Sequence, residues 1–390
     1  MRILVINDWT PTGGGTERYL ELVIDTLRRR GDDVRVLAAA VGDGAASDYP
    51  VATSDRAAAQ AVLQLANPWA IRAARRAVRD WRPDVALVVM FEMRLSPAVI
   101  RALGRIPFVL SVAYYKPICP TGLRLLPDGR LCEVRAGRAC LASGCLGRAH
   151  WLRDQVRYAL IRREIDRASA VFACSAHLRD ELAAAGITAE LAPFPARPAA
   201  GVPQRRLTAH PTFLYAGRFA PEKGIETLVA AFAQARASLP GARLRLVGGG
   251  PLERSLGERV AELGVGDAVD MLHWCDHERL DMLMEDAWAV VVPSLWAEPL
   301  GLVALDATVR RVPVVASDAG GLREIVQDGV NGILVPRGEV APLAEALVGI
   351  GTSELFPTGS IPVEVAARVA EAHDAERYVT WLRRRLEEVA

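Results

Sequence analysis

The fold of this chain is decided by its opening stretch, residues 2–31, RILVINDWTPTGGGTERYLELVIDTLRRRG. Residues 2–7 form a short apolar run, which is typical of a buried strand, and a turn rich in Gly, Pro and Thr follows it. Apolar residues then recur at helical spacing up to Gly31, and residues 33–40, DVRVLAAA, supply a second strand. This order of strand, glycine loop, helix and strand indicates a parallel sheet with crossover helices.

The same alternation continues along the chain in two halves. In the first half we predict strands at 84–90, 107–113 and 170–174, with a long helix at 151–167. Residues 191–211 are rich in proline and have little apolar periodicity, so we interpret them as a connection between domains. The alternation then restarts with the strand TFLYAGR and continues to the strand NGILVP. The pattern therefore indicates two similar halves, each built of strand and helix units.

The predicted fold class is α/β, with two doubly wound domains that face each other across a cleft. A chain of 390 residues is longer than a single core usually supports, which also favours two domains. We predict a first domain at 1–195 with a cysteine-containing insertion at 116–147, and a second domain at 196–370. A C-terminal helix within 371–390 is expected to cross back to the first domain.

The charge balance excludes a general attraction for nucleic acid. The chain has 47 basic and 46 acidic residues, for a formal net charge of +1, so any site for a polyanion must be local. The N-terminus lacks the pattern of a secretory signal, and no apolar stretch is long enough to span a bilayer, so we expect a cytoplasmic protein. The Arg-rich helix WLRDQVRYALIRREIDRA could lie on the inner face of a membrane, although a solvated helix face is the more common explanation.

Two cations stand in the octapeptide GRFAPEKG, residues 217–224. Arg218 ends a predicted strand, and Lys223 precedes a predicted helix that begins at Gly224. Open parallel sheets bind ligands at the carboxyl ends of their strands, where a guanidinium and an ammonium can neutralise a diphosphate from two sides. Lys116 and Lys223 are the only lysines in the chain, which is a further hint that a compact point charge is needed. The alternative is a solvated loop whose charges face water.

Two acids flank a predicted helix start in PSLWAEPLGLVALDA, residues 293–307. We predict that the helix begins within Pro299-Leu300-Gly301-Leu302, so that its first N–H groups can donate to phosphate or hydroxyl oxygens. Glu298 then lies just outside the helix and Asp306 two turns into it, where the two carboxylates can accept hydroxyls from opposite ends of one ligand. A sugar joined to a ribose through two phosphates has that layout. The alternative is an acid that favours the helix dipole, plus a surface acid.

Two further glycine runs are candidates for close backbone approach to a ligand. The loop TGGGTER, residues 12–18, does not match GxGxxG, and no acid ends the second strand, which argues against a dinucleotide site. It could still approach a phosphate or an acceptor, or be a plain tight turn. The run GGG, residues 248–250, ends a strand of the second half and is expected to shape the same cleft. His273 and His277 form no metal-ligand pair, and we expect them in loops near a nucleotide base.

The predicted insertion contains four cysteines, Cys119, Cys132, Cys140 and Cys145. Four thiols could ligate a structural zinc, but their spacing lacks the C-x2-C pairs of a strong zinc signature. Two disulfides or free thiols are the alternatives, and a cytosolic location favours reduced or metal-bound forms.

Five stretches together resemble the large family-4 group of retaining glycosyltransferases with the GT-B fold. They are TGGGTERYLELVIDTLRRRGDDVRV, GRFAPEKGIETLVAAF, LRLVGGGPL, VVVPSLWAEPLGLVALDA and VPVVASDAGGLREIVQDGVNGILVP, and they span nearly the whole chain. The resemblance implies two Rossmann-like domains and transfer of a sugar from a UDP- or GDP-sugar with retention at the anomeric carbon. It also implies that no metal is required, and that the acceptor is a small molecule, a glycan or a lipid-linked molecule.

The resemblance also implies roles for residues at matching positions. Arg218 and Lys223 would hold the donor diphosphate and stabilise the leaving group, and Glu298 would hold hydroxyls of the donor sugar. Asp306 matches the second acid of the family's E-x7-E motif, shortened by one methylene, and would accept the ribose hydroxyls. The complete set of donor-binding candidates is Gly14, Gly15, Gly217, Arg218, Lys223, Trp274, Glu298, Pro299, Leu300, Gly301, Leu302 and Asp306.

One departure from the family leaves the function open. Many relatives carry a His-Asp step where this chain has Ala113 and Tyr114, so a side chain that helps to position the donor sugar is missing. Lys116 or Tyr115 could compensate. The alternatives are an epimerase, a hydrolase or a glycogen- or sucrose-type synthase on the same fold, and a non-catalytic subunit that binds nucleotide sugars.

Overall fold

The structure is a computed structural model that describes residues 1–10, 15–40, 47–198 and 205–390. The described chain forms two compact units. The first consists of Met1–Pro195 together with Ala375–Ala390, and the second of Ala196–Asp374.

The first unit is built on a parallel sheet. Its strands are β1 (Arg2–Trp9), β2 (Asp33–Ala39), β3 (Tyr49–Val51), β4 (Val85–Val88), β5 (Phe108–Val112), β6 (Ala170–Ala173) and β7 (Glu190–Leu191). Within the described residues their spatial order is β3-β2-β1-β4-β5-β6-β7, and every pair is parallel. The chain therefore changes its direction of winding between β1 and β4, which is the topological switch point of this Rossmann-like order.

Helices cover the faces of this sheet. They are α1 (Gly15–Arg29), α2 (Ala57–Leu63), α3 (Pro68–Asp80), α4 (Ala98–Arg101), α5 (Arg138–Ala142), α6 (Arg148–Ile165) and α7 (Ala176–Ala184). The start of α3 shows how the sequence sets a boundary. Asn67 is its N-cap and accepts hydrogen bonds from the N–H groups of Trp69 and Ala70, while Pro68 occupies the first helical position.

The last helix of the chain belongs to the first unit. This helix, here α15 (Ala375–Val389), packs against α1. The hydroxyls of Tyr19 and Tyr378 are 2.6 Å apart, and Arg383 Nε lies 3.0 Å from an oxygen of buried Asp32. Trp381 also packs against Phe172 of β6.

The second unit repeats the plan. Its strands are β8 (Thr212–Arg218), β9 (Arg243–Gly249), β10 (Val269–Leu272), β11 (Ala289–Val292), β12 (Val314–Ser317) and β13 (Gly332–Val335). Within the described residues the parallel sheet has the order β10-β9-β8-β11-β12-β13, so its switch point lies between β8 and β11. Its helices are α8 (Ile225–Ala235), α9 (Glu253–Glu262), α10 (His277–Asp286), α11 (Leu302–Val309), α12 (Leu322–Ile325), α13 (Val340–Gly351) and α14 (Val363–Ala372).

Several element boundaries differ from the sequence prediction. The helix predicted at 151–167 begins three residues earlier, at Arg148, where Gly147 is its N-cap. The C-terminal region contains two helices, because α14 ends at Ala372 and α15 begins at Ala375. The end of the proline-rich connection also packs against the second unit, since Arg205 donates to the carbonyl oxygens of Met284 and Gly359.

Candidate functional site

Two loops meet at the switch point of the second sheet. β8 and β11 are hydrogen-bonded neighbours, and the chain that follows each strand supplies predicted site residues. The loop after β8 carries Lys223 at the end of a short 3₁₀ turn, Pro221–Lys223, and the loop after β11 carries Glu298. This position is where open α/β sheets bind ligands.

Gly224 allows these two loops to touch. It has a φ of 65°, and a Cβ atom added there would lie 1.9 Å from the carbonyl oxygen of Pro293. The contact is reinforced because the N–H groups of Leu295 and Trp296 both donate to the carbonyl oxygen of Glu222, at 2.9 and 3.3 Å. A side chain at residue 224 would therefore separate the two halves of the site.

Lys223 and Glu298 form an ion pair across this junction. The ammonium of Lys223 donates to Glu298 Oε1 at 2.6 Å, and Ser294 Oγ donates to the same oxygen at 2.7 Å. Burial would raise the pKa of the Glu298 carboxyl, but the charge of Lys223 and hydrogen bonds from Lys223, Ser294 and Trp296 outweigh burial and hold this pKa below its usual value. Glu298 is therefore ionised at neutral pH although it is buried.

Arg218 lies at the end of β8 and is more accessible. Its side chain is 57% exposed and pairs with Glu222, four residues further along. The hydroxyl of buried Tyr215 donates to the Arg218 carbonyl oxygen at 2.6 Å, which anchors the strand end. Arg218 thus presents a largely exposed cation beside the buried pair.

The GGG run lies directly against this strand end. The register of β8 and β9 aligns Gly217 with Gly248 and Arg218 with Gly249. A Cβ atom on Gly248 would lie 2.0 Å from the Gly217 carbonyl oxygen, and one on Gly249 would lie 3.3 Å from Trp274 Nε1. Trp274 is 49% exposed, so an accessible aromatic ring stands at the same edge as Arg218. His273 is also exposed, with Nδ1 3.8 Å from Glu253 Oε1.

The helix predicted to begin within residues 299–302 begins at Leu302. Gly301 is its N-cap with a φ of 94°. Glu298 forms a parallel bridge with Gly320 and its carbonyl accepts the Gly321 N–H at 2.7 Å, and residues 299–300 form a bend, so residues 298–300 are not helical. Asp306 consequently lies about one turn inside the helix, not two as predicted from the sequence.

Asp306 is held by arginine residues. Its Oδ1 accepts the backbone N–H of Arg197 at 3.3 Å and lies 4.0 Å from Arg310 Nη1, while Oδ2 lies 4.0 Å from Arg197 Nε. Both guanidinium groups also contact Asp281, with Arg310 Nε 2.8 Å and Arg197 Nη1 2.9 Å from its oxygens. Arg310 further donates to the carbonyl oxygens of Arg197 and Pro198, so the start of the second unit is tied to α11. The contacts leave Asp306 with a fixed carboxylate that is 8% exposed.

The glycine loop of the first unit is only partly described. Gly14 lies outside the described residues, and Gly15 is the first residue of α1. At the switch point of this sheet the structure places a buried acid on each side. Asp8, near the end of β1, accepts the N–H groups of Met93, Arg94 and Leu95 at 2.7 to 2.8 Å, and Glu92 follows β4.

Glu92 is paired with a tyrosine rather than a cation. The Tyr114 hydroxyl lies 2.8 Å from Glu92 Oε2 and also donates to the Val89 carbonyl at 2.8 Å. Burial, together with the charge of Asp8, raises the pKa of Glu92 to about 7, and burial also raises the pKa of Asp8. The pKa of Tyr114 is raised as well, chiefly by burial and by Glu92, so this hydroxyl stays protonated.

The two residues suggested as substitutes for the missing His-Asp step each have a hydrogen-bond partner within the first unit. Lys116 donates to the Pro120 carbonyl at 2.7 Å, and burial lowers its pKa. The Tyr115 hydroxyl lies 2.7 Å from His177 Nε2.

The four cysteines are unpaired thiols that lie near one another. Burial raises the pKa of the Cys145 thiol, and the neighbouring thiols of Cys140, Cys132 and Cys119 raise it further. Among the residues that the structure describes, no three His, Cys, Asp or Glu side chains are arranged to hold a metal ion. The side chains as placed therefore do not fit a zinc centre, and the zinc site stays a prediction that metal analysis of the purified protein would test.

Two side chains of this site, Arg197 and Trp296, were not predicted from the sequence. Arg197 lies in the proline-rich connection, far from Asp306 along the chain, so only the tertiary structure brings them together. The sequence signal for Trp296 is its position two residues before the buried acid Glu298. Its ring centroid lies 4.8 Å from the Lys223 ammonium.

None of the helices in the described ranges combines the length and the apolar character that crossing a membrane requires.

Comparison with known sequences identifies the class that two Rossmann-like units and this site define. Residues 203–351 match the family described as glycosyl transferases group 1, and residues 14–197 match the family described as glycosyl transferase 4-like domain. The chain belongs to the group 1 glycosyltransferases, which have the GT-B fold.

Individual relatives match smaller segments. The D-inositol 3-phosphate glycosyltransferase of Nocardia farcinica is 39% identical over 175 residues, which is 43% of this chain and 39% of that relative. The glycogen synthase of Mycobacterium tuberculosis is 33% identical over 196 residues, which is 47% of this chain and 45% of that relative. The alignments thus span less than half the length of these curated relatives.

Solved structures are similar over the whole chain. Sucrose-phosphate synthase from Thermosynechococcus elongatus has a TM-score of 0.76 at 22% identity, and the match covers 100% of both chains. Anabaena Alr3699/HepE in complex with UDP-glucose has a TM-score of 0.70 at 20% identity, again over 100% of both chains. At these identities the likeness establishes the fold.

Proposed function

We propose that the protein transfers a sugar from a UDP- or GDP-sugar to a hydroxyl of an acceptor, with retention of the anomeric configuration. The observation that carries the proposal is the Lys223–Glu298 ion pair at the switch point of the second sheet, with Arg218 exposed beside it. Two cations and an ionised acid at the carboxyl ends of parallel strands suit a diphosphate joined to a polyhydroxyl group. The UDP-glucose bound in the Anabaena relative supports the same ligand class.

The chemistry follows from charge development in the transition state. The bond from the anomeric carbon to the diphosphate oxygen breaks, and negative charge accumulates on the departing nucleoside diphosphate. Arg218 and Lys223 stabilise that charge, which is the type of interaction that contributes most to such reactions. Glu298 accepts hydrogen bonds from the sugar hydroxyls, and Asp306 accepts those of the ribose.

The acceptor hydroxyl attacks the same face of the sugar from which the diphosphate leaves. Its proton passes to an oxygen of the departing diphosphate, so the step needs no protein base. Because two cationic side chains neutralise the diphosphate, we expect activity to persist in EDTA. The four cysteines take no part in this scheme.

The test begins with ligand binding. Thermal-shift measurements against UDP, GDP and their glucose, galactose and mannose conjugates would identify the donor, since a ligand that binds the folded state raises Tm. Slow release of the diphosphate from the donor, and faster release with an acceptor, would confirm transfer. Inositol phosphates belong in the acceptor panel because one relative is named for such an acceptor. Binding without any release would instead assign a non-catalytic nucleotide-sugar-binding protein.

A further inference from the structure

The aromatic ring of Trp296 lies beside the cationic member of the ion pair at the candidate site. The side chain is 8% exposed, and the Lys223 ammonium lies 4.8 Å from its ring centroid. The backbone N–H of Trp296 donates to Glu222, so the residue is fixed to the loop that carries Lys223.

This arrangement matters because Lys223 has two anionic partners in the proposed reaction. Without a donor its ammonium pairs with Glu298, and with a donor bound it must also face the diphosphate. An ammonium on a flexible four-carbon stem loses its orientation when its partner changes. The negative face of an aromatic ring attracts a cation without competing for it as a carboxylate does.

We propose that Trp296 is a positioning residue whose ring holds the Lys223 ammonium in place while the diphosphate takes over from Glu298. The proposal rests on the function proposed above. It predicts that the ring serves nucleotide binding by keeping the Lys223 ammonium oriented.

The composition of the chain gives a direct spectroscopic test. Lys116 and Lys223 are the only lysines, so protein labelled with ¹³C at lysine Cε shows two side-chain signals, which the Lys116→Arg variant assigns. A cation above an indole ring experiences its ring current, so we expect the Lys223 Cε protons upfield of those of Lys116. The upfield shift should disappear in Trp296→Leu and persist when UDP is added to the wild type. A Lys223 signal without an upfield shift, or one that loses it on addition of UDP, would overturn the proposal.

Two variants separate the aromatic face of Trp296 from its apolar bulk. Trp296→Phe keeps an aromatic face and should leave the Kd for UDP within about twofold. Trp296→Leu removes the aromatic face and should raise the Kd for UDP by about tenfold. Equal Kd values for Trp296→Leu and the wild type would refute the positioning role.

Trp288 provides the matched control for loss of packing. It lies in the same unit, packs against the core and donates its indole N–H to the Thr208 carbonyl at 3.1 Å. Trp288→Leu should lower Tm as much as Trp296→Leu does but leave the Kd for UDP unchanged. A matching loss of UDP affinity in Trp288→Leu would show that the Trp296 effect is general destabilisation. If GDP is the nucleotide bound, it replaces UDP in every measurement. A wild type that binds neither nucleotide rejects the proposed function, and the lysine signals still show whether the ring contact exists.

Discussion

The two sheets place an acid at the same topological position but give it opposite protonation behaviour. Glu298, beyond β11, is buried and has a lowered pKa, whereas Glu92, beyond β4, is buried and has a pKa raised to about 7. Burial acts in the same direction on both carboxyls. The difference arises because Glu298 contacts the ammonium of Lys223, while Glu92 contacts the neutral hydroxyl of Tyr114 and lies near the negative charge of Asp8.

The comparison shows that the partner of a buried acid, more than its depth, determines its charge at neutral pH. The second unit keeps an ionised pair at its switch point, which suits a charged ligand. The first unit keeps a carboxyl whose pKa is raised, so that its protonated form is favoured and pairs with the uncharged hydroxyl of Tyr114. This difference leads to five predictions, ordered from the largest expected effect to the smallest.

Removal of Lys223 should have the largest effect. Lys223→Ala leaves Glu298 buried without its cation and removes a charge from the leaving-group site, so turnover should fall by about 10²–10³-fold. Circular dichroism and Tm would show whether the fold is intact. Lys223→Arg, which keeps the charge, should retain more activity than Lys223→Ala. Unchanged turnover of Lys223→Ala would remove this residue from the mechanism.

Neutralising Glu298 should have the second-largest effect. Glu298→Gln keeps the shape of the side chain but loses the charge, so we expect kcat to fall about 10²-fold with a smaller change in the Kd for UDP. Asp267→Asn, at an exposed ion pair with Arg236, is the control and should retain full activity. If Glu298→Gln lost UDP affinity but kept kcat, Glu298 would not be the residue that binds the donor-sugar hydroxyls.

The charge state of Glu92 can be read from stability against pH. Its pKa is higher in the folded protein than its model value of 4.5, so the folded state binds the additional proton between about pH 4.5 and 7. Stability should therefore fall as pH rises through that window, by an amount on the order of 2 kcal/mol. Glu92→Gln should flatten the decline in urea denaturation between pH 5 and 8.

The contribution of Glu298 to stability changes with pH in the opposite direction. Its lowered pKa contributes stability that is present above about pH 4.5 and is lost as pH falls through the folded-state pKa. Glu298→Gln should therefore reduce acid sensitivity below pH 4.5 and leave the decline between pH 5 and 8 in place. If both variants changed the same pH window, the contrast between the two sheets would be wrong.

The smallest effect is expected from the support of Asp306. Arg197→Gln breaks the ion pair with Asp281 and loosens the Asp306 carboxylate, so the Kd for UDP should rise about fivefold. The Kd for 2′-deoxy-UDP should change less, because this nucleotide lacks a ribose hydroxyl that would donate a hydrogen bond to Asp306. Calorimetry with both nucleotides, and with Arg236→Gln as the control, would measure the difference. Equal losses for the two nucleotides would place the effect of Arg197 away from the ribose.

The sequence allowed the architecture of both units to be predicted, because strand and helix periodicities are local. It also predicted the ends of β8 and β11 as the positions of Arg218, Lys223 and Glu298, and the structure joins the last two. It did not predict which cation pairs with which acid, since that depends on Gly224 allowing two distant loops to touch. The support of Asp306 by Arg197 was equally inaccessible, because the residues are 109 positions apart and share no pattern.

The return of α15 to the first unit determines how the molecule can be divided. A fragment ending at Pro195 would lack the helix that covers Tyr19 and pairs with Asp32, and would expose an apolar face of α1. Since Asp32 binds Arg383 and its neighbour Asp33 donates to the Met1 carbonyl, the two chain ends lie on the same side of this unit. A circularly permuted polypeptide that places 375–390 before residue 1 through a short linker would supply the whole first unit as one continuous gene product.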